Sequence, residues 1–124
     1  MIAHLTGRVI SDKLDTIILD VHGVGYRVHV PVGTLGRVKP DAEGRVSLFT
    51  YTSVRADAIL LFGFANEDIY TLFTKLITVT GVGPKLALAI LSGLSPLEFV
   101  TAVHTNSVAQ LTSISGIGKK PPSA

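Results

Sequence analysis

The hydrophobic period of this chain changes near residue 65, which restricts it to a β half followed by a helical half. Up to about residue 64 the apolar residues alternate with period two, as strands with one buried face require. Candidate strands are Leu5 to Ile10, Thr16 to Val21, Tyr26 to Val30, Val46 to Tyr51 and Ala58 to Phe62. In the third, Tyr26, Val28 and Val30 share one face and Arg27 and His29 the other. Gly23-Val24-Gly25 reads as a hairpin turn, and Pro40-Asp41 with Glu43-Gly44 marks a loop before the fourth strand. Five short strands in so few residues predict a small closed or partly open barrel. Closure removes edges that so small a sheet could not otherwise protect.

From Asn66 the period becomes helical. Ile69, Leu72, Phe73, Leu76 and Ile77 fall on one helix face. Asn66 suits the N-cap, with Glu67 and Asp68 in the first turn. Gly81 and Gly83 interrupt the pattern, and Pro84 suits the first position of a helix over Lys85 to Ser92 that ends at Gly93. Ser95-Pro96-Leu97-Glu98 is a capping box that opens a third helix running to about His104. Ser107 is a candidate cap for a short fourth helix through Ser113. The expected organisation is a barrel over residues 1–64, a helical domain over 65–120 and a tail over 121–124.

The helical half contains a repeat. Leu76-Ile77-Thr78-Val79-Thr80-Gly81-Val82-Gly83-Pro84-Lys85 returns 35 residues later as Leu111-Thr112-Ser113-Ile114-Ser115-Gly116-Ile117-Gly118-Lys119-Lys120. Four of the ten positions are identical, and four more exchange Thr for Ser or Val for Ile. Each copy reads as a helix, a Gly-hydrophobic-Gly hairpin and a new helix start carrying a lysine, the mark of a duplicated supersecondary unit. Glycines permit tight backbone and close approach to a ligand. Free amides at a helix start, with the helix dipole behind them, attract anions. Lys85 and Lys120 add mobile positive charge. Such a device suits a phosphodiester backbone and reads no base identity. The plainer reading is two tight helix–helix turns. Neither copy has the third glycine of a dinucleotide fingerprint or the spacing of a phosphate loop.

The composition narrows the functional classes. The 124 residues are 47% apolar and 16% charged, which excludes a disordered chain. There is no cysteine, hence no disulfide framework, thiolate metal site or cysteine nucleophile. Apolar runs such as Ile17 to Leu19 and Leu86 to Leu91 fall far short of the ~20 residues that span a bilayer. Met1-Ile2-Ala3-His4-Leu5-Thr6 has no basic start of a signal peptide, so a cytoplasmic protein without membrane partners is expected. The net charge of +2 is mild, though assembly of several copies would multiply and concentrate it. His4, His22, His29 and His104 are scattered. Asp20 and His22 share a strand face in this reading but lack a third ligand, and no Ser-His-Asp spacing suggests a triad. Neither a catalytic constellation nor a cofactor site is expected. Lys13, Arg37 and Lys39 read as solvated loop charges.

The repeat resembles the helix-hairpin-helix motif. Set behind a five-stranded barrel, it resembles the RuvA family of bacterial Holliday junction proteins over essentially the whole chain. The matching residues include Met1-Ile2, Gly7, Gly23-Val24-Gly25-Tyr26, Val54-Arg55, Asp57-Ala58, Leu61-Phe62-Gly63-Phe64, Gly81 to Ala87, Leu91-Ser92-Gly93 and Gly116 to Lys120. The resemblance implies an N-terminal OB-fold that assembles as a homotetramer, or as an octamer of two tetramers. It also implies a helical domain with tandem helix-hairpin-helix motifs. Such proteins bind four-way junction DNA without doing chemistry, recruit the RuvB ATPase that pumps it and work beside the RuvC resolvase. The phosphate-binding amides fall at Gly81, Val82 and Gly83 and again at Gly116, Ile117 and Gly118, with Lys85, Lys119 and Lys120 as cations. The family's acidic pin falls at Arg55-Ala56-Asp57, where one of its two acids is replaced by Ala56. After Lys120 the chain reads Pro121-Pro122-Ser123-Ala124 in place of the family's next helix and third domain. The second motif is therefore expected to be incomplete and RuvB binding to be in doubt. The competing expectation is a truncated oligomerisation module with weak or no DNA binding; a nuclease or lyase using Lys85 or Asp57 ranks last.

Overall fold

The computed structural model describes residues 1–105. They form five strands, β1 (His4–Lys13), β2 (Thr16–Val21), β3 (Val24–His29), β4 (Val46–Val54) and β5 (Ile59–Phe64). Three helices follow, α1 (Glu67–Leu76), α2 (Pro84–Ser92) and α3 (Pro96–Thr105). A short 3-10 turn, Thr34–Arg37, lies between β3 and β4. The chain divides into two compact units, Met1–Tyr70 and Thr71 onward, so the division falls inside α1.

The strands close into a barrel in the order β1-β2-β3-β5-β4, with β4 returning to β1. All pairs are antiparallel except β3 with β5, which meet only at Val28–Leu61 and His29–Phe62. A break in register between Val9 and Ser11 bends β1, whose start pairs with β4 and whose end pairs with β2. The interior is aliphatic: Leu5, Ile17, Leu19, Val28, Val30, Val46, Leu48 and Leu61 are buried together. Gly63 belongs to this packing. A Cβ on it would lie 2.6 Å from Val28 Cγ1 and 3.1 Å from Leu48 Cδ1, so the crowded interior excludes a side chain there.

Two buried polar residues fasten the N-terminus. The hydroxyls of Thr50 and Thr52 donate to the Ile2 carbonyl at 2.7 and 2.9 Å, and the Ile2 N–H donates to Thr52 Oγ1 at 3.0 Å. Each hydroxyl is thereby satisfied, which removes most of the cost of burying it.

The turns show where the sequence reading needs correction. Val21 pairs with Val24, so the β2–β3 turn is His22-Gly23, and Val24 and Gly25 belong to β3. Both turn residues have positive φ, 51° for His22 and 90° for Gly23, as the mirror-image turn of a two-residue hairpin requires. His22 is therefore off the strand and does not share a strand face with Asp20. The Asp20 carboxylate instead accepts the Gly23 N–H at 2.8 Å. In the loop before β4, Asp41 Oδ1 accepts the backbone N–H groups of Glu43 and Arg45, and Oδ2 accepts Arg45 Nε at 3.0 Å. The Arg45 backbone N–H leads these contacts in holding the Asp41 carboxyl below the ordinary carboxylate value.

The helical expectations are close to the observed elements. Asn66 caps α1 through its side chain, accepting the Ile69 N–H at 3.0 Å. Ile69, Leu72, Phe73 and Leu76 are buried on one face, while Ile77 lies just past the helix. The capping box is reciprocal: the Ser95 N–H donates to Glu98 Oε1 at 2.9 Å, and the Glu98 N–H donates to Ser95 Oγ at 3.1 Å. The candidate fourth helix, Ser107 to Ser113, lies outside the described residues.

Candidate nucleic-acid interface

The segment from the end of α1 to the start of α2 forms a hairpin built by successive backbone bonds. The N–H groups of Ile77, Thr78 and Val79 donate to Phe73, Lys75 and Leu76 carbonyls, which winds down the end of α1. The Val82 N–H then donates to the Val79 carbonyl at 3.0 Å. Gly81 takes φ +87°, a left-handed conformation that turns the chain, and Val82 is buried while Gly81 and Gly83 are exposed. The central apolar residue thus holds the hairpin from inside, and the two glycines face solvent.

The N-terminus of α2 is bare. Its N-cap is Gly83, extended at φ −89° and ψ 177°, with no side-chain cap. Pro84 has no N–H, and the first turn carries no acid. The amides of Gly81, Gly83, Lys85 and Leu86 have no hydrogen-bond partner among the described residues. Lys85 is exposed and makes no ion pair among them. Unsatisfied N–H groups, the positive end of a helix dipole and a mobile ammonium group are the features that attract anions to a helix start.

The placement refines the expected set of donors. Gly81, Gly83 and Lys85 come together on this surface. The Val82 N–H is already engaged within the hairpin, so Val82 contributes an anchor rather than a free donor. The Lys85 and Leu86 amides join the donors, a detail announced in the sequence only by Gly83 standing where a capping Ser or Asp is usual. Gly116, Ile117, Gly118, Lys119 and Lys120 lie outside the described residues.

Arg55 and Asp57 belong to the other unit. They sit on the four-residue loop between β4 and β5, closed by the Arg55 N–H donating to the Ala58 carbonyl at 2.8 Å. Both are exposed and neither forms an ion pair among the described residues. The histidines are dispersed: His4 meets Phe49 edge-on, His29 lies against Phe62, His22 is in its turn and His104 is on α3. No group of residues among those described is arranged to hold a metal ion. No described helix is long and apolar enough to cross a membrane.

This architecture matches two known family models in the same order along the chain. Residues 1–63 match the RuvA N terminal domain, and residues 73–120 match the SAM-like helix-hairpin-helix tandem. The chain belongs to the RuvA family. Among its relatives are proteins named Holliday junction branch migration complex subunit RuvA. That of Pasteurella multocida is 48% identical over 97% of this chain and 58% of the relative. That of Trichlorobacter lovleyi is 48% identical over 97% of this chain and 59% of the relative. That of Klebsiella pneumoniae is 47% identical over the same shares. The chain therefore spans somewhat under three-fifths of the curated relatives it matches. The RuvA match covers the barrel, and the tandem match begins at Phe73, so the hairpin and the bare N-terminus of α2 fall within the helix-hairpin-helix region.

Proposed function

We propose that this chain is a non-catalytic, structure-selective DNA-binding protein that grips four-way junctions through their phosphates. The observation that carries this reading is the uncapped start of α2 behind Gly81-Val82-Gly83, with Lys85 beside it, within a segment matched by a helix-hairpin-helix family. Amides and one flexible cation recognise a phosphodiester without reading bases. Selectivity for a junction then comes from the geometry of several such sites, which the family resemblance supplies as a tetramer or octamer. The exposed loop with Arg55 and Asp57 is assigned to the centre of that assembly, where Asp57 repels phosphate. The relatives' name makes them subunits of a branch migration complex, and the same membership is proposed here. Contact with the RuvB ATPase and work beside the RuvC resolvase rest on the family resemblance.

The test is a gel-shift competition at fixed salt between a labelled four-way junction and unlabelled linear duplex of equal length. Junction binding that survives a large excess of duplex is expected. Equal displacement by duplex and by unlabelled junction would refute structure selectivity. Affinity should also fall by about 0.9 log units per log unit of salt for each phosphate neutralised.

A further inference from the structure

The two copies of the repeat agree at more than their glycines. Thr78 and Thr80 of the first copy stand where the second has Ser113 and Ser115, so a hydroxyl returns at both positions. The glycines account for a tight turn and ask nothing of these two places. Ser113 and Ser115 lie outside the described residues. Thr78 and Thr80 show that the two hydroxyls have different uses.

Thr78 uses its hydroxyl inside the hairpin. Its Oγ1 donates to the Lys75 carbonyl at 2.6 Å, and its N–H donates to the same carbonyl at 3.1 Å. That carbonyl lies in the last turn of α1, where the oxygens have no partner within the helix. Thr78 therefore closes the helix end, and no ligand is needed to explain its hydroxyl.

Thr80 has no such use. It is exposed, and neither its hydroxyl nor its N–H has a partner among the described residues. Its carbonyl carbon is bonded to the Gly81 nitrogen, so covalent geometry alone keeps the hydroxyl within about 5 Å of the free Gly81 N–H. A surface threonine by itself means little. This one returns as serine in the second copy, makes no internal bond and is joined to a free amide of the hairpin. A phosphate oxygen has room to accept from more than one such donor, and bonds to an ionised acceptor are the strong ones.

We propose that Thr80 is a further binding residue of the hairpin, its hydroxyl donating to the phosphate that the Gly81 amide takes. The inference rests on the reading of this hairpin as a DNA-phosphate site, and it adds a side-chain donor to backbone amides and one lysine. A hydroxyl carries no charge, so it strengthens the grip without releasing a counterion. That separates its part from that of Lys85.

The test uses the whole chain and two variants. Thr80→Val keeps the branched shape and removes the donor; Thr80→Ser keeps the donor. Binding of a four-way junction and of linear duplex of equal length is titrated at several salt concentrations. Thr80→Val should weaken binding of both about tenfold, the loss of one charge-assisted hydrogen bond, with the salt slope unchanged. Thr80→Ser should stay within about twofold of the parent, because serine offers the same donor. Both should melt with the parent, since position 80 is exposed. Thr80→Val binding as tightly as the parent would overturn the proposal. So would an equal loss in Thr80→Ser, which would assign the effect to the methyl group. A salt slope lower by about one in Thr80→Val would also overturn it, by assigning the loss to a displaced cation. A parent that binds neither DNA would remove the phosphate reading and this inference together. A parent that binds junction and duplex equally, with Thr80→Val weaker on both, would refute junction selectivity alone and leave Thr80 in its role.

Discussion

The two glycines of the hairpin look equivalent in the sequence, and the same substitution should destabilise the fold at one and leave it almost unchanged at the other. Gly81 has φ +87°, and a Cβ there would meet nothing within 4 Å, so Gly81→Ala is opposed by backbone strain alone. Placing an L-residue in that region costs about 1–2 kcal/mol, and reduced freedom of the unfolded chain returns about 0.4–1. The expected net loss is about 1 kcal/mol. Gly83 is extended, with open space around its Cβ position. Gly83→Ala gains the same unfolded-state term and loses about as much because alanine is a poorer N-cap. Its stability should stay within about 0.5 kcal/mol of the parent. In thermal melts the first variant should fall by about 4 °C, taking the usual unfolding entropy per residue for a chain of 124 residues, and the second should barely move. Both added methyl groups nevertheless stand on the surface that carries the free amides, so both variants should bind junction DNA more weakly. The pair thus separates loss of grip from loss of fold. If Gly83→Ala proves as destabilising as Gly81→Ala, or Gly81→Ala costs nothing, the assigned backbone geometry is wrong. If Gly83→Ala keeps full junction affinity, the amides near it are not the anion site.

Three further outcomes follow from single sites. Lys85→Gln should weaken binding about equally for all sequences and lower the salt slope by about one, read from titrations at several salt concentrations. Gly63→Ala should cost about 1–3 kcal/mol in urea unfolding, because its Cβ would press on Val28 and Leu48 in a closed interior. The Asp41 loop should be insensitive to pH above about 4, the ordinary aspartate value, and should lose its stabilising contribution as pH falls through the lowered folded value. The Glu43 and Arg45 amide shifts followed by NMR should titrate below the usual carboxylate range, and Asp41→Asn should abolish that titration.

Local chemistry made several elements legible. β2 runs from Thr16 to Val21 as its alternation indicates, and Asn66 and the Ser95–Glu98 pair start their helices as capping chemistry requires. β1 extends beyond Ile10 to Lys13 because the bulge there interrupts the alternation without ending the pairing. The place of His22 in a turn is not legible in the sequence, because a non-glycine residue at positive φ leaves no periodic trace. At the hairpin, the glycine frame and Lys85 were readable from the repeat. The engagement of the Val82 amide was not, because it depends on a bond between two residues of the turn itself.

The sequence by itself determined the change from β to helix, the barrel's aliphatic alternation, the repeated Gly-hydrophobic-Gly segment and, through its many ordered matches, membership of the RuvA family. These are local or cumulative signals, carried by side-chain period and residue type along the chain. Only the tertiary structure decided the strand order and the parallel β3–β5 contact that closes the barrel. It also placed Gly63 where no side chain fits and showed which hairpin amides are free. Each depends on what lies across space from a residue, and period along the chain does not encode that.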